Sequence, residues 1–223
     1  MEVVIVLGGP NTKEDIKELL ENRYGKSYEG FRFVGVDGGA LRLLDQHLPM
    51  EVAIGDFDSV TKEQRDLIHE AAGTVVELPS EKDDTDFEAA LLWVKEHYEG
   101  IPIHVLGSFG GRVDHAISTL WTMMRPDLAP LIPYVVFEDT TNVVNFIQPG
   151  TYTIEKMDFT KYLSFISMTP VENVTIQNVK YTLDSKSYAY PVALVSNEFT
   201  ADKMTISFAK GLILVAQTRD HWR

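Results

Sequence analysis

Two kinds of hydrophobic periodicity divide the chain near residue 140. Before that point, short β-branched runs alternate with amphipathic helical patterns, which is typical of βαβ units around a parallel sheet. The runs predict about six strands, at residues 3–7, 31–36, 52–54, 75–78, 103–106 and 134–137. We therefore expect residues 1–140 to form an α/β domain with a doubly wound, mostly parallel sheet.

The rest of the chain, residues 141–223, is rich in strand pattern. Short apolar runs follow one another without a helix-length periodic segment between them, at residues 152–154, 162–166, 174–176, 192–195, 204–208 and 212–215. This pattern predicts an all-β second domain, built as an antiparallel sandwich or barrel.

Two helix starts are marked in the first domain. Gln64 follows Thr61 by three residues, and Glu88 follows Thr85 by three residues. This spacing is typical of a capping box, in which each side chain satisfies a free backbone N–H group. We expect helices to begin at both places.

Charge and composition restrict the partners. The formal net charge of −13 disfavours nucleic acid and anionic membranes, and it suits divalent metals and cationic ligands. Cysteine is absent, so the chain has neither disulfides nor a thiol nucleophile, which fits a reducing compartment. The apolar stretch at residues 3–7 is too short for a membrane span or a signal sequence. We expect a cytoplasmic protein.

Chemically active residues concentrate in the loops that follow the predicted strands. In an open parallel sheet, ligands bind beyond the carboxyl ends of the strands, where these loops converge. Five such loops, at residues 8–12, 37–40, 55–59, 81–86 and 107–115, carry glycine pairs and charged side chains. We expect them to form one site.

The turn Gly55-Asp56-Phe57-Asp58-Ser59 is the most specific of these loops. Asp56 and Asp58 are one residue apart, so both carboxylates can share a hard cation such as Mg²⁺. A solvated turn is the alternative for this pattern taken alone. The second acidic cluster, formed by Asp83, Asp84 and Asp86, favours the metal site.

The loop at residues 107–115 has the residue types of a phosphate site. Gly110 and Gly111 give a flexible backbone, and the Arg112 guanidinium can bind phosphate oxygens. Asp114 and His115 follow in the first turn of a predicted helix. Arg112 could instead be a surface residue, and His115 could cap or pack. Together with the acidic loops, these residues predict metal-assisted phosphoryl-type transfer.

In their order along the chain, these motifs resemble those of the thiamine pyrophosphokinase family. The series is Asp37-Gly38-Gly39-Ala40, Gly55-Asp56-Phe57-Asp58-Ser59, Lys82-Asp83-Asp84-Thr85-Asp86 and Gly110-Gly111-Arg112-Val113-Asp114-His115. The likeness extends to Asn142, Pro149-Gly150, Lys180-Tyr181 and Ser196-Asn197-Glu198. Thr119 departs from the family pattern, which commonly has asparagine there, and Thr182 stands where proline is usual.

The resemblance implies an activity and an architecture. The family joins an α/β nucleotide-binding domain to a β-sandwich that binds thiamine, and it works as a homodimer with the active site between subunits. It transfers a pyrophosphoryl group from ATP to the hydroxyl of thiamine, with Mg²⁺, and gives thiamine diphosphate and AMP. On this basis we expect residues 1–140 to bind ATP and Mg²⁺ and residues 141–223 to bind thiamine.

The resemblance also implies residue roles. The expected metal ligands are Asp56, Asp58 and Asp86, which join Arg112, Asp114 and His115 as the expected catalytic residues. Lys82 and Arg112 would hold phosphates, and Ser196 and Asn197 would reach thiamine from the partner subunit. The full expected binding set is Gly9, Asp37, Gly38, Gly39, Lys82, Asp83, Ser108, Gly110, Gly111, Ser196 and Asn197.

Two rival hypotheses explain part of the pattern. Asp56-Phe57-Asp58-Ser59-Val60 also matches the opening motif of haloacid-dehalogenase-type phosphatases, in which the first aspartate is phosphorylated. Here, however, two strand–helix units precede the motif, and Lys82 follows it too soon for that family. The second rival is a non-catalytic nucleotide sensor with an effector-binding β domain, which gives no reason for Asp114 and His115 beside the phosphate loops.

Overall fold

The computed structural model describes residues 1–9 and 16–220 and divides the chain into two compact units. The first unit is Met1–Asp139 and the second is Thr140–Arg223. Pro10, Asn11 and Thr12 of the first predicted loop lie outside the described residues.

The first unit alternates strands and helices, as the hydrophobic pattern predicts. Its strands are β1 (Glu2–Val6), β2 (Phe31–Val36), β3 (Met50–Gly55), β4 (Ala72–Glu77), β5 (Ile103–Leu106) and β6 (Val135–Glu138). Its helices are α1 (Ile16–Tyr24), α2 (Gly38–Asp45), α3 (Lys62–Ala71), α4 (Asp86–His97) and α5 (Val113–Trp121), with short 3-10 turns at Tyr28–Gly30, Thr122–Met124 and Ala129–Leu131. The strands follow the order β6-β5-β1-β2-β3-β4, and each neighbouring pair is parallel.

The hydrophobic runs and the capping residues account for these elements. Residues 3–6 of β1 are fully buried, as expected for a central parallel strand covered on both faces. Both predicted capping boxes are confirmed, because the Thr61 and Thr85 hydroxyls accept hydrogen bonds from the N–H groups of Gln64 and Glu88. Beyond its cap, α4 buries Phe87, Ala90, Leu91 and Val94 in the core.

The second unit is built of antiparallel strands. They are β7 (Asn142–Ile147), β8 (Gly150–Glu155), β9 (Tyr162–Ser167), β10 (Val171–Gln177), β11 (Leu183–Tyr188), β12 (Ala193–Asn197), β13 (Lys203–Phe208) and β14 (Ile213–Thr218). Within this unit the strand orders are β12-β9-β14-β7 and β11-β10-β13-β8. Buried side chains from β7, β9 and β14 belong to one hydrophobic cluster with those from β10 and β13.

The sequence pattern did not predict two strands of the second unit, β7 and β11. The run of β7 is interrupted by Asn145, and β11 exposes its four central residues, so neither has a continuous apolar or alternating pattern. In both strands, pairing with a neighbour outweighs weak local patterning.

The parallel order places the loops of the first unit at one edge of the sheet. Backbone hydrogen bonds continue the register past the strand ends: Leu7 donates to Leu106, Asp37 to Ile54, and Leu78 to Gly55, each at 2.9 Å. The loops after β1, β2, β3, β4 and β5 therefore begin side by side.

Candidate active site

A cleft of about 830 Å³ opens at this edge of the first unit. Eleven residues of the expected site line it: Gly9, Asp37, Gly38, Lys82, Asp86, Ser108, Gly110, Gly111, Arg112, Asp114 and His115. Six polar residues outside the expected set join them, namely Ser59, Ser80, Asp84, Thr85, Ser118 and Thr119. Asp56, Asp58, Gly39 and Asp83 do not themselves line the cleft.

Three carboxylates meet where β2 and β3 end. Asp37, Asp56 and Asp58 each offer an oxygen, and these atoms all lie within 4.8 Å of one another. An all-carboxylate set matches the hard oxygen ligands of Mg²⁺. The cluster includes Asp37, which the sequence suggested only as a binding residue, and does not include Asp86. The sequence signal for this cluster is that aspartates follow both predicted strands. They lie close together only because β2 and β3 are neighbours in the sheet.

Asp37 is held in an unusual conformation. It has a φ of 45° between β2 and α2, a region that non-glycine residues rarely adopt, and such residues cluster at functional sites. The Ser59 hydroxyl donates to its carboxylate oxygens at 3.2 and 3.1 Å. Burial raises the pKa of Asp37, and the negative charges of Asp86 and Asp56 add to this effect, whereas hydrogen bonds from Gly38 and Ser59 oppose it. A bound cation would relieve this repulsion.

The turn between Asp56 and Asp58 is anchored by the residue between them. Phe57 has a φ of 54° and buries its side chain in the hydrophobic cluster of the first unit. The Asp58 N–H group donates to Asp56 Oδ1 at 3.1 Å, which closes the turn. The two carboxylates thus stand on a turn fixed both by a buried ring and by a local hydrogen bond.

Lys82 connects the carboxylate cluster to the start of α4. Its Nζ lies 2.9 Å from Asp86 Oδ1 and 3.7 Å from Asp56 Oδ2, and it donates to the Pro79 carbonyl at 3.2 Å. Burial opposes its charge, but the hydrogen bonds and charges of Asp86 and Asp56 outweigh burial and raise the pKa of Lys82. Lys82 is therefore a fixed cation at the wall of the cleft.

Two glycines allow the strand-end loops to approach one another. A Cβ on Gly9 would lie 2.0 Å from the Gly107 carbonyl oxygen, and one on Gly39 would lie 1.8 Å from the Val6 carbonyl oxygen. Neither position accepts a side chain without backbone movement. Gly39 thus packs α2 against β1, which is how it contributes to the site.

The loop after β5 presents backbone and polar groups to the cleft. Gly107, Gly110 and Gly111 have φ values of 81°, 81° and 73°, which glycine adopts without strain. The Ser108 hydroxyl is buried in the cleft wall and has no hydrogen-bond partner within residues 1–9 and 16–220. A phosphate oxygen in the cleft would satisfy it.

At the end of this loop, Arg112 and Asp114 form a bidentate pair at the start of α5. Arg112 Nη2 donates to Asp114 Oδ2 at 2.6 Å, and Nε donates to Oδ1 at 3.2 Å. The hydrogen bonds from Arg112 lower the pKa of Asp114. Both side chains are exposed, so they can separate to meet a ligand. Thr119, in the next turn, donates to the His115 carbonyl at 2.9 Å.

The expected thiamine residues lie at the end of β12 in the second unit. Asn197 is buried, and its Oδ1 accepts from the N–H groups of Tyr181 and Glu198 while its Nδ2 donates to the Tyr181 carbonyl, each at 2.9 Å. Its amide therefore holds the local backbone together. Ser196 is exposed, with a φ of 59°, and its N–H group donates to the Ser164 hydroxyl at 3.2 Å.

Comparisons with known proteins agree on one family. Residues 31–133 match the family model for the thiamin pyrophosphokinase catalytic domain, and residues 151–213 match that for the thiamin pyrophosphokinase vitamin B1 binding domain. The thiamine pyrophosphokinase of Bacillus subtilis is 33% identical over 218 residues, covering 97% of this chain and 98% of its own. A thiamin pyrophosphokinase of Caenorhabditis elegans is 28% identical and covers 95% of this chain and 87% of its own.

Solved structures of the same family share the fold. A thiamin pyrophosphokinase family protein from Enterococcus faecalis superposes with a TM-score of 0.88 at 32% identity, covering 99% of this chain and 100% of its own. The Bacillus subtilis enzyme superposes with a TM-score of 0.82 at 31% identity, with the same coverage. Both family models, the near full-length relatives and these structures lead to the same conclusion: the chain belongs to the thiamin pyrophosphokinase family.

Proposed function

We propose that the chain catalyses Mg²⁺-dependent transfer of a pyrophosphoryl group from ATP to the hydroxyl of thiamine, giving thiamine diphosphate and AMP. The observation that carries this proposal is the cluster of Asp37, Asp56 and Asp58 beside a cleft lined by Lys82 and Arg112. Carboxylates for a metal and cations for phosphates are the parts that phosphoryl-type transfer requires. Family membership supplies thiamine as the acceptor.

We assign the metal to the three clustered carboxylates. Asp37, Asp56 and Asp58 would hold Mg²⁺, which when bound neutralises charge on the phosphates. Asp86 remains part of the proposed site as the ion-pair partner of Lys82. Asp83 is exposed and does not line the cleft.

The remaining residues would bind and orient the triphosphate. Gly110 and Gly111 offer backbone groups at the start of α5, where the helix dipole favours anions. Arg112 would exchange its carboxylate partner Asp114 for a phosphate oxygen, which frees Asp114, next to His115, to face the thiamine hydroxyl.

We further propose that the active enzyme is a homodimer in which the exposed Ser196 of one subunit reaches thiamine in the cleft of the other. Asn197, which the resemblance placed beside thiamine, is buried with its amide bonded to the local backbone, so we assign it to holding Ser196 in position. Exposed apolar side chains on α5 support the proposal that another subunit contacts this chain. On α5, Val113, Ile117 and Trp121 follow one another at four-residue intervals and are exposed. A row of exposed apolar residues at helical spacing is typical of a surface that another chain covers.

The proposal extends to the architecture and the location. We propose that the parallel sheet of the first unit is doubly wound and that the two sheets of the second unit form a sandwich around their shared hydrophobic cluster. No helix within residues 1–9 and 16–220 is long and apolar enough to cross a membrane. We place the enzyme in the cytoplasm because ATP is abundant there.

Product analysis tests the proposed function. We expect incubation with Mg-ATP and thiamine to give AMP and thiamine diphosphate in equal amounts, and no turnover when the metal is chelated. Release of inorganic phosphate without AMP would instead favour a phosphatase of the haloacid-dehalogenase type. Binding of thiamine without conversion would contradict an enzymatic role and favour the sensor.

A further inference from the structure

Arg125 lies outside the cleft, at the far end of the helical segment that begins beside Arg112. It follows the 3-10 turn Thr122–Met124, which continues α5. Its N–H group donates to the Thr122 carbonyl, and its own carbonyl accepts from Leu128, each at 3.1 Å. Because Met123 and Leu128 are buried, the backbone of Arg125 is fixed on both sides.

The Arg125 guanidinium contacts three carboxylates. Nη1 lies 2.5 Å from Asp84 Oδ1 and 3.4 Å from Glu88 Oε1. On its other edge, Nε and Nη2 donate to the Asp127 oxygens at 3.1 and 2.8 Å. The pairing with Asp127 presets the plane of the guanidinium, so that Nη1 points to the loop before α4.

Two of these carboxylates, Asp84 and Glu88, lie next in sequence to residues that line the cleft. Asp84 and Glu88 alternate along the chain with Lys82 and Asp86. Asp84 and Glu88 contact Arg125, whereas Lys82 and Asp86 form the ion pair, and Asp84 also lines the cleft. Glu88 also closes the cap of α4, because its Oε2 accepts from the Thr85 N–H group at 2.8 Å and from the Thr85 hydroxyl at 3.0 Å. Arg125 is therefore connected both to the loop and to the cap.

A second contact joins α4 to the same segment. Lys95, in the last turn of α4, donates to the Asp127 carbonyl at 2.6 Å. The residues around Arg125 thus hold α4 at both its first and its last turn. Rotation or sliding of α4, which would displace Asp86, requires these contacts to break.

We propose that Arg125 is a positioning residue for pyrophosphoryl transfer. It holds Lys82, in the loop before α4, and Asp86, the first residue of α4, in place relative to the loop at residues 107–112. This inference rests on the proposed function. Loss of the guanidinium would leave Asp84 and Glu88 as uncompensated neighbours and release the loop. Displacement of a phosphate-binding group by about 1 Å is enough to lower turnover on the order of a hundredfold.

Four variants and a control test the inference in the full-length protein. Arg125→Gln should lower kcat/KM for thiamine by about tenfold or more, and Arg125→Lys, which keeps the charge without the planar fork, should recover only part of the loss. Asp84→Asn removes the same contact from the other side. If the two residues act together, Arg125→Gln combined with Asp84→Asn should be no worse than Arg125→Gln alone. Arg32→Gln on β2, which removes an exposed ion pair with Glu51 of β3, is the charge-matched control and should leave turnover unchanged.

Hydrogen exchange of the substrate-free protein gives a readout independent of activity. Backbone amides at residues 80–86 should exchange faster in Arg125→Gln than in the wild type or in Arg32→Gln, while the amides of β1 should stay equally protected. Should Arg125→Gln fail to fold, Asp84→Asn provides the same comparison.

Distinct results separate failure of this inference from failure of the proposed function. The role of Arg125 would be overturned if the turnover of Arg125→Gln were within twofold of the wild type, or if amide exchange at residues 80–86 were unchanged. It would also be overturned if the loss of kcat/KM in the double variant equalled the product of the losses in Arg125→Gln and Asp84→Asn. An inactive wild type would overturn the proposed function, and the exchange measurement would then still decide whether Arg125 orders the loop.

Discussion

Lys82 and Asp86 form an ion pair with 2.9 Å between Nζ and Oδ1. The same ammonium group lies 3.7 Å from Asp56, so one cation joins the acidic turn after β3 to the first residue of α4. Its position at the wall of the cleft lets it balance carboxylate charge before ATP binds and contact phosphate oxygens afterwards.

Removing the positive charge of Lys82 should lower the catalytic efficiency with ATP. We expect Lys82→Gln to lower kcat/KM for ATP by about tenfold or more, because Asp56 and Asp86 then repel the incoming triphosphate. Steady-state kinetics at saturating Mg²⁺ measure the effect, with Lys62→Gln on the exposed side of α3 as the control. Equal kinetics for Lys82→Gln and the control would remove Lys82 from the site.

Asp58 gives a test of the metal assignment. Asp58→Asn should preserve the fold, since the residue lies in a loop, but should reduce turnover by on the order of a hundredfold or more if the carboxylate organises transition-state charge. Circular dichroism and turnover at increasing Mg²⁺ measure the two effects. Full activity at saturating Mg²⁺ would contradict a metal role for Asp58.

Gly39 and Gly38 form a matched pair for the close packing of α2. A Cβ on Gly39 would meet the Val6 carbonyl oxygen at 1.8 Å, whereas on Gly38 its nearest contact would be Gly8 Cα at 3.6 Å. Gly39→Ala should therefore destabilise the protein by roughly 1–3 kcal/mol through overpacking, and Gly38→Ala should change stability little. Denaturant unfolding of both variants checks this difference, and equal stabilities would show that α2 moves away without a penalty.

The raised pKa of Asp37 predicts that Asp37→Asn stabilises the folded protein by an amount that depends on pH. Because the folded-state pKa lies above the ordinary value of 3.8, the charged carboxylate destabilises the folded protein. This penalty is absent below pH 3.8, increases as the pH rises through the folded-state pKa, and is complete above it. In metal-free buffer at neutral pH, Asp37→Asn should thus raise the Tm above that of the wild type.

Thermal unfolding across this pH range decides the point. The stabilisation of Asp37→Asn should shrink as the pH falls towards 3.8, and Asp66→Asn, an exposed change on α3, serves as the control. Added Mg²⁺ should raise the Tm of the wild type more than that of Asp37→Asn. A variant that is less stable than the wild type at neutral pH would contradict repulsion at Asp37.

The sequence allowed the loops of the site to be predicted because parallel strands place their carboxyl ends together. Lys82, Arg112 and Asp114 could be chosen from residue type and position in such loops. Asp37 could not be chosen as a metal ligand, because its approach to Asp56 depends on which strands are neighbours and on its positive φ. Arg125 lies 41 residues beyond Asp84 in the chain, and no local pattern connects the two.

Labelling of the β-phosphate of ATP shows whether both terminal phosphates of one ATP pass to thiamine together. Attack of the thiamine hydroxyl on the β-phosphorus breaks the bond between the α- and β-phosphates and releases AMP. We therefore predict that thiamine diphosphate formed from [β-³²P]ATP retains the label in a one-to-one ratio with AMP. Unlabelled thiamine diphosphate accompanied by labelled ADP would show successive single phosphoryl transfers and would contradict pyrophosphoryl transfer in one step.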